Sequence, residues 1–240
     1  MLSLPALAQD SRLEHARQVN LDRLAHLPNF EADEVMVRYQ SPRVDPPRWK
    51  KMDTIESAIG FRNGNFTREH VAVNGKPWNK PELPNGSHPR VGFGFEIKPL
   101  FDPACRVEIQ YAGAEEIHSK PASTYSFRSP PDGCFGSLGL KNGTFSALKL
   151  ANPPRVGRFT VDEAGGNLIH FEMEAVDRPK WLDPSREIDT WDYMKVGDTS
   201  WLLPVAYENY SGGGFGGLWH VVVEYKNFRH FESSTDVTFK

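Results

Sequence analysis

The chain has 240 residues, with 28 Lys and Arg against 31 Asp and Glu and a formal net charge of -3. No run of like charge is longer than a few residues, which excludes a nucleic-acid surface and leaves no nucleic acid among the expected partners. Mean hydropathy is -0.52, and no apolar run approaches the ~20 residues of a spanning helix, so a membrane-spanning helix is not expected.

The first residues end in Ala6-Leu7-Ala8, a small-x-small export cleavage pattern that lacks a basic region and a long apolar region. Residues 1–9 are therefore expected to be a remnant of an export signal or a disordered tail, and residues 10–240 a single domain. Ser11-Arg12-Leu13-Glu14 fits a capping box, and Leu13, Ala16, Leu21, Leu24 and Ala25 give a partial apolar stripe. The spacing predicts a helix that stops before Pro28.

Glu31 to Gln40 reads as a strand, with Val35, Val37 and Tyr39 on one face and Glu34, Met36 and Arg38 on the other. Asp53 to Phe61 and Glu69 to Val73 form an expected hairpin over Asn63-Gly64-Asn65. Lys76 to Pro89 is Pro-rich and polar, hence a loop. Within Val91 to Phe101, the apolar positions Phe95, Ile97, Leu100 and Phe101 fit a short packed helix. Arg106 to Tyr111, Glu115 to Ser119 and Ser123 to Arg128 read as three strands. Ser129 to Ala151 is loop-rich, with a possible strand near Phe145 to Leu150.

The last third alternates aromatic and β-branched residues at period two, broken by Gly, Asn and Asp. It divides into Phe159 to Val161, Leu168 to Ala175, Ile188 to Val196, Trp201 to Tyr210, Leu218 to Phe228 and Ser233 to Phe239. The fold class expected is mainly β (α+β). It is an antiparallel, strongly curved sheet or half-open β-barrel, with an N-terminal helix and short helices covering the open side.

Chemistry-bearing patterns are few. Cys105 and Cys134 are the only cysteines. In an oxidising compartment they can pair, closing a loop worth roughly 3–4 kcal/mol in the chain-entropy model, or they can remain separate buried thiols. His170, Glu172 and Glu174 share one strand face but spread over roughly 13 Å, too far to converge on one metal ion. Glu187, Asp189, Asp192 and Asp198 form an acidic group that flanks strands and turns, where Asp is favoured for local hydrogen bonds. The glycine run 212–217 lacks the spacing of a phosphate cradle and reads as a loop, with Phe215 as the apolar tip of a lid. Phe135-Gly136-Ser137-Leu138-Gly139 is only half of a nucleophile elbow. No catalytic residue, metal or cofactor is assigned.

Six blocks carry a family resemblance. They are Leu27-Pro28-Asn29-Phe30 with Val37-Arg38-Tyr39; Phe61 to Val73 with Asn74-Gly75-Lys76-Pro77; and Leu100-Phe101-Asp102-Pro103-Ala104-Cys105. The others are Gly157 to Ala175, Tyr193 to Val205, and Tyr225 to Phe231. Together they resemble a family of exported acidobacterial proteins of unknown activity, which in turn is similar in strand order to LolA-type lipoprotein carriers. The resemblance implies a LolA-like half-barrel over residues 10–240, exported to the periplasm or associated with the outer membrane.

It also implies a non-enzymatic binding protein for an apolar small molecule, lipid, acyl chain or lipoprotein anchor. Met36, Phe61, Phe101, Tyr111, Tyr125, Trp191 and Tyr193 are the expected lining, with Phe215 as lid. The alternatives are a periplasmic protein-interaction or sensor module, with a lipoprotein or other periplasmic protein as partner, and an unrecognised hydrolase centred on the acidic group near Asp192.

Overall fold

The computed structural model describes residues 5–88, 94, 96–117, 120–136, 138–141, 148–212 and 217–230. Helix α1 (Pro5–Ala25) opens the chain. It starts ahead of the expected Ser11 cap, so the Ser11–Glu14 pattern lies inside the helix. Ala6, Leu7, Ala8 and Gln9 are good helix formers, and Pro5 suits the first turn.

Strands β1 (Phe30–Ser41), β2 (Lys50–Arg62), β3 (Asn65–Val73) and β4 (Lys76–Pro77) follow. The β2–β3 turn is Asn63-Gly64, both at positive φ (51° and 79°), the backbone of a type I′ hairpin. A short helix α2 (Ile97–Phe101) and a 3-10 turn (Pro103–Cys105) lead into β5 (Glu108–Ile117) and β6 (Lys120–Arg128). The two strands expected across Arg106 to Ser119 are one strand, β5, whose register against β6 shifts between Tyr111 and Gly113. A bulge bends a strand without ending it, and sequence periodicity reads that as a break.

The ribbon β7 (Leu138–Lys141) and β8 (Leu148–Ala151) stands apart. Then come β9 (Arg155–Asp162), β10 (Leu168–Ala175), β11 (Arg186–Val196), β12 (Thr199–Gly212) and β13 (Leu218–His230). The expected strand Ser233 to Phe239 and the lid tip Phe215 lie outside the described residues.

Eleven strands form one antiparallel sheet in the order β4-β3-β2-β1-β13-β12-β11-β10-β9-β6-β5. The sheet is open, with β4 and β5 at its edges, and α1 and α2 pack on one face, which is the architecture the sequence predicts. That inner face carries two cores. The first joins Phe127, Phe159, Phe171, Trp191 and Leu202 to Ala16 of α1 and Leu100 and Phe101 of α2. The second joins Phe30, Met36, Ile55, Ile59, Val221 and Val223.

Two polar devices seat the helices. Asn20 is fully buried; its amide donates to the Ala16 and Gly166 carbonyls (2.7 and 2.9 Å) and accepts from Leu168 N (2.9 Å). This fixes α1 to the β9–β10 turn. A disulfide joins Cys105 to Cys134, with Cα atoms 5.4 Å apart, and ties the segment after α2 to the segment after β6.

Candidate ligand site and buried charges

The expected lining residues do not converge. Met36 and Phe61 belong to the second core, whereas Phe101, Tyr125 and Trp191 are buried in the first and Tyr111 packs at its margin. Tyr125 stacks on Phe159 at 5.1 Å, and Phe61 lies 5.6 Å from Phe30. Tyr193 is 43% exposed; its hydroxyl accepts from Asn167 Nδ2 at 2.9 Å. Packed aromatic interiors are the ordinary role of such residues, and none of these seven lines any of the clefts described below.

The largest of those clefts, about 470 Å³, opens between α1 and α2. Leu21, Leu24 and Ala25 form its α1 wall, and Lys98, Asp102 and Pro103 its α2 wall. Gly94 makes the close approach possible. It adopts φ +74°, and a Cβ there would stand 2.9 Å from Ile97 Cδ1 and 3.2 Å from Leu24 Cδ1. α2 turns Ile97, Leu100 and Phe101 into the first core and leaves Lys98 exposed. Asp102 is occupied, its Oδ1 accepting from Ala104 N at 2.9 Å. The cleft is thus an apolar slot with Lys98 at its rim, which has no salt bridge among the described residues. The α1 stripe is visible in the sequence, but the slot is not, because its two walls lie some 75 positions apart and meet only in the folded chain.

Between α2 and the inner face lie three buried carboxyls: Glu96 (1% exposed) at the start of α2, and Glu187 (8%) and Asp189 (6%) of β11. Neither oxygen of Glu96 has a side-chain partner, whereas Glu187 and Asp189 share a hydrogen bond in which the protonated Asp189 donates to Glu187. Burial raises all three pKa values, Glu96 to about 8 and Glu187 to about 7, with Asp189 well above the carboxylate range. The neighbouring charges and phenols are Arg23 of α1, Arg155 of β9, Tyr207 of β12 and Tyr225 of β13. Burial also lowers Arg23 to about 10, which still leaves it charged at neutral pH. The expected acidic group therefore divides. Glu187 and Asp189 point inward, while Asp192 and Asp198 are exposed. Among the described residues no group of three His, Cys, Asp or Glu has metal-binding geometry, and the α1–α2 slot does not reach the buried acids. His170, Glu172 and Glu174 project from the opposite face to the buried Phe171, Met173 and Ala175.

No family of known proteins and no curated protein matches this sequence. The resemblance to an exported acidobacterial family rests on the six quoted blocks alone.

Distant likenesses exist among solved structures. A LolA superfamily protein from Nitrosomonas europaea aligns at 9% identity over 96% of this chain and 97% of that one, with a TM-score of 0.33. MucB in complex with MucA(peri) aligns at 9% identity over 93% and 99%, with a TM-score of 0.25. The Pseudomonas aeruginosa MucA/MucB complex aligns at 10% identity over 93% and 99%, with a TM-score of 0.25. At these scores the likeness carries no argument about mechanism, and function has to be argued from the chain's own geometry. No helix among the described residues is long and apolar enough to cross a membrane, which leaves β-strand spans untouched.

Proposed function

We propose that this chain is an exported, non-enzymatic binding protein for an apolar ligand such as a lipid, an acyl chain or a lipoprotein anchor. The observation that carries the proposal is the α1–α2 slot. Its volume falls within the range of small-molecule sites, and its walls are mainly Leu, Ala and Pro with one cation at the mouth. Each buried CH₂ contributes about 0.8 kcal/mol, so a short acyl segment suffices for binding without a catalyst. Lys98 suits an acidic headgroup left in water at the rim. The disulfide supports an oxidising compartment.

Native mass spectrometry of the purified protein, with organic extraction of bound material, tests this directly. A co-purified acyl lipid, or saturable uptake of a fluorescent fatty acid that weakens about tenfold in Leu24→Asp, supports it. Lys98→Glu, at an exposed position, should weaken the fatty acid more than the matching alcohol. Protein that carries no lipid and takes up no probe contradicts it.

A second reading, a protein-interaction module, is favoured by one feature. β5 is a ten-residue edge strand, bonded among the described residues on one side only, to β6. A probe-negative protein that captures an extended peptide along β5 would fit that reading instead.

A further inference from the structure

The outer face of the sheet, opposite α1 and α2, carries a row of side chains that apolar-ligand binding leaves unused. Tyr39 of β1, His220 of β13, Tyr210 of β12, Arg186 of β11 and Glu174 of β10 are successive cross-strand partners. At strand spacings of about 4.8 Å the row spans roughly 19 Å.

One end is aromatic and rigid. His220 lies flat on Tyr210, with ring centroids 4.2 Å apart and planes at 6°, and it also stacks on Tyr39 at 5.4 Å. Glu208 accepts from Tyr210 Oη and His220 Nε2, each at 2.6 Å, and locks both rings. Trp49 stands beside them, 6.0 Å from Tyr210 and 5.4 Å from His220, yet keeps 36% of its surface in solvent.

The other end is polar. Arg186 donates to Glu172 Oε2 at 2.9 Å. Two clefts, of about 320 and about 400 Å³, share Glu174 and Arg186 and so form one groove. Trp49, Tyr210 and Pro47 wall the first; Ser126, Arg158 and Glu172 wall the second.

We propose that this groove binds a neutral oligosaccharide, with one sugar ring stacked on Trp49 and its neighbours laid over Arg186 and Glu174. An aromatic face is electron-rich and attracts the partly positive C–H face of a pyranose. Each sugar hydroxyl both donates and accepts, and the floor offers both partners: guanidinium donors at Arg158 and Arg186, carboxylate acceptors at Glu172 and Glu174. Arg178 also lines the first cleft, so three guanidiniums interleave with two carboxylates, and a polyanion would meet Glu172 and Glu174 on the same floor. A lipid chain would strip water from these charges without replacing its hydrogen bonds. An added peptide strand has no place either, because β10, β11 and β12 are paired on both sides within the sheet. The groove lies on the other face from the α1–α2 slot, so this inference stands whether or not that slot takes a lipid.

The test is isothermal titration calorimetry of the full chain with chitohexaose, cellohexaose and maltohexaose. Saturable binding of at least one hexaose is expected, weakened about tenfold or more in Trp49→Ala and in Arg186→Gln, and unchanged in Lys98→Glu. Trp49 belongs to neither core, so its loss leaves the fold intact, which circular dichroism checks. Failure of all three hexaoses to bind, or equal affinity in Trp49→Ala, overturns the proposal.

Discussion

On the β1–β3 side of the sheet, Glu34 meets Arg68 at 2.7 and 2.8 Å and Ser57 at 2.6 Å, and Arg38 meets Asp53 at 2.7 and 2.6 Å. On the β9–β11 side, Glu96, Glu187 and Asp189 are as deeply buried, and none has a salt bridge among the described residues. The same inner face thus buries charge in two ways. The first side holds forked ion pairs with their remaining valences filled: Arg38 also donates to the Pro84 carbonyl at 3.2 Å and lies 5.4 Å from the Trp219 ring. The second side holds carboxyls that stay neutral because water is excluded. Complete ion pairing makes a stiff frame, whereas acids without counter-ions leave a region whose stability changes with protonation. That second region lies under α2, one wall of the proposed ligand slot.

The largest expected effect comes from breaking a completed pair. Arg68→Ala leaves Glu34 buried without its cation and should cost about 3–5 kcal/mol in urea denaturation. A loss under about 1 kcal/mol would mean that the frame does not depend on pairing. Next, Asn20→Leu strands the Gly166 carbonyl and the Leu168 amide and should cost about 2–4 kcal/mol by the same measurement. Retention of full stability would show that α1 is held by its apolar stripe alone.

The pH dependence separates the two sides by sign. Glu96 and Glu187 keep their protons in the folded chain up to about 8 and about 7, whereas the unfolded chain loses them near the ordinary carboxylate value. Their contribution is complete below pH ~4.5 and falls as pH rises, by about 1.4 kcal/mol per pH unit for each proton held, ending near pH 8 for Glu96. His88 works the other way. Burial first, and then the Arg38 charge, hold it down to about 4, so its contribution is lost as pH falls from its ordinary value toward 4. Melting temperatures across this range should show both limbs, and a flat profile between pH ~5 and ~8 contradicts buried acids held neutral in the folded chain.

The smallest effect is the sharpest contrast. At pH ~8.5, Glu96→Gln should stabilise by about 1 kcal/mol, because it removes a charge that burial penalises, while Glu34→Gln should destabilise by at least that much. Equal signs for the two variants would erase the distinction between the halves.

Much of the frame was legible in the sequence. Period-two alternation and turn residues marked the strands from Phe159 onward, and the Asn63-Gly64 hairpin was visible in the chain. The inner face of β1 was not. Val35, Val37 and Tyr39 look like the natural core face, yet Glu34, Met36 and Arg38 are the buried set. Their counter-ions, Arg68 and Asp53, arrive from other strands, 34 and 15 positions away. Burial of a charge depends on partners that only the assembled sheet supplies. The same holds for Glu187 and Asp189, which read as turn-flanking acids, and for Glu96, which carries no local pattern at all. The aromatic residues proposed as a lining were correctly seen as apolar, but periodicity cannot tell a packed core from a cavity wall.

The most direct test of the contrast is hydrogen exchange on the full chain at pH ~5.5 and ~8.5, corrected for intrinsic rates. The contrast predicts that amides of α2 and β11 lose protection at the higher pH while those of β1 and β2 keep theirs. Equal protection changes on both sides, or none on either, would contradict it.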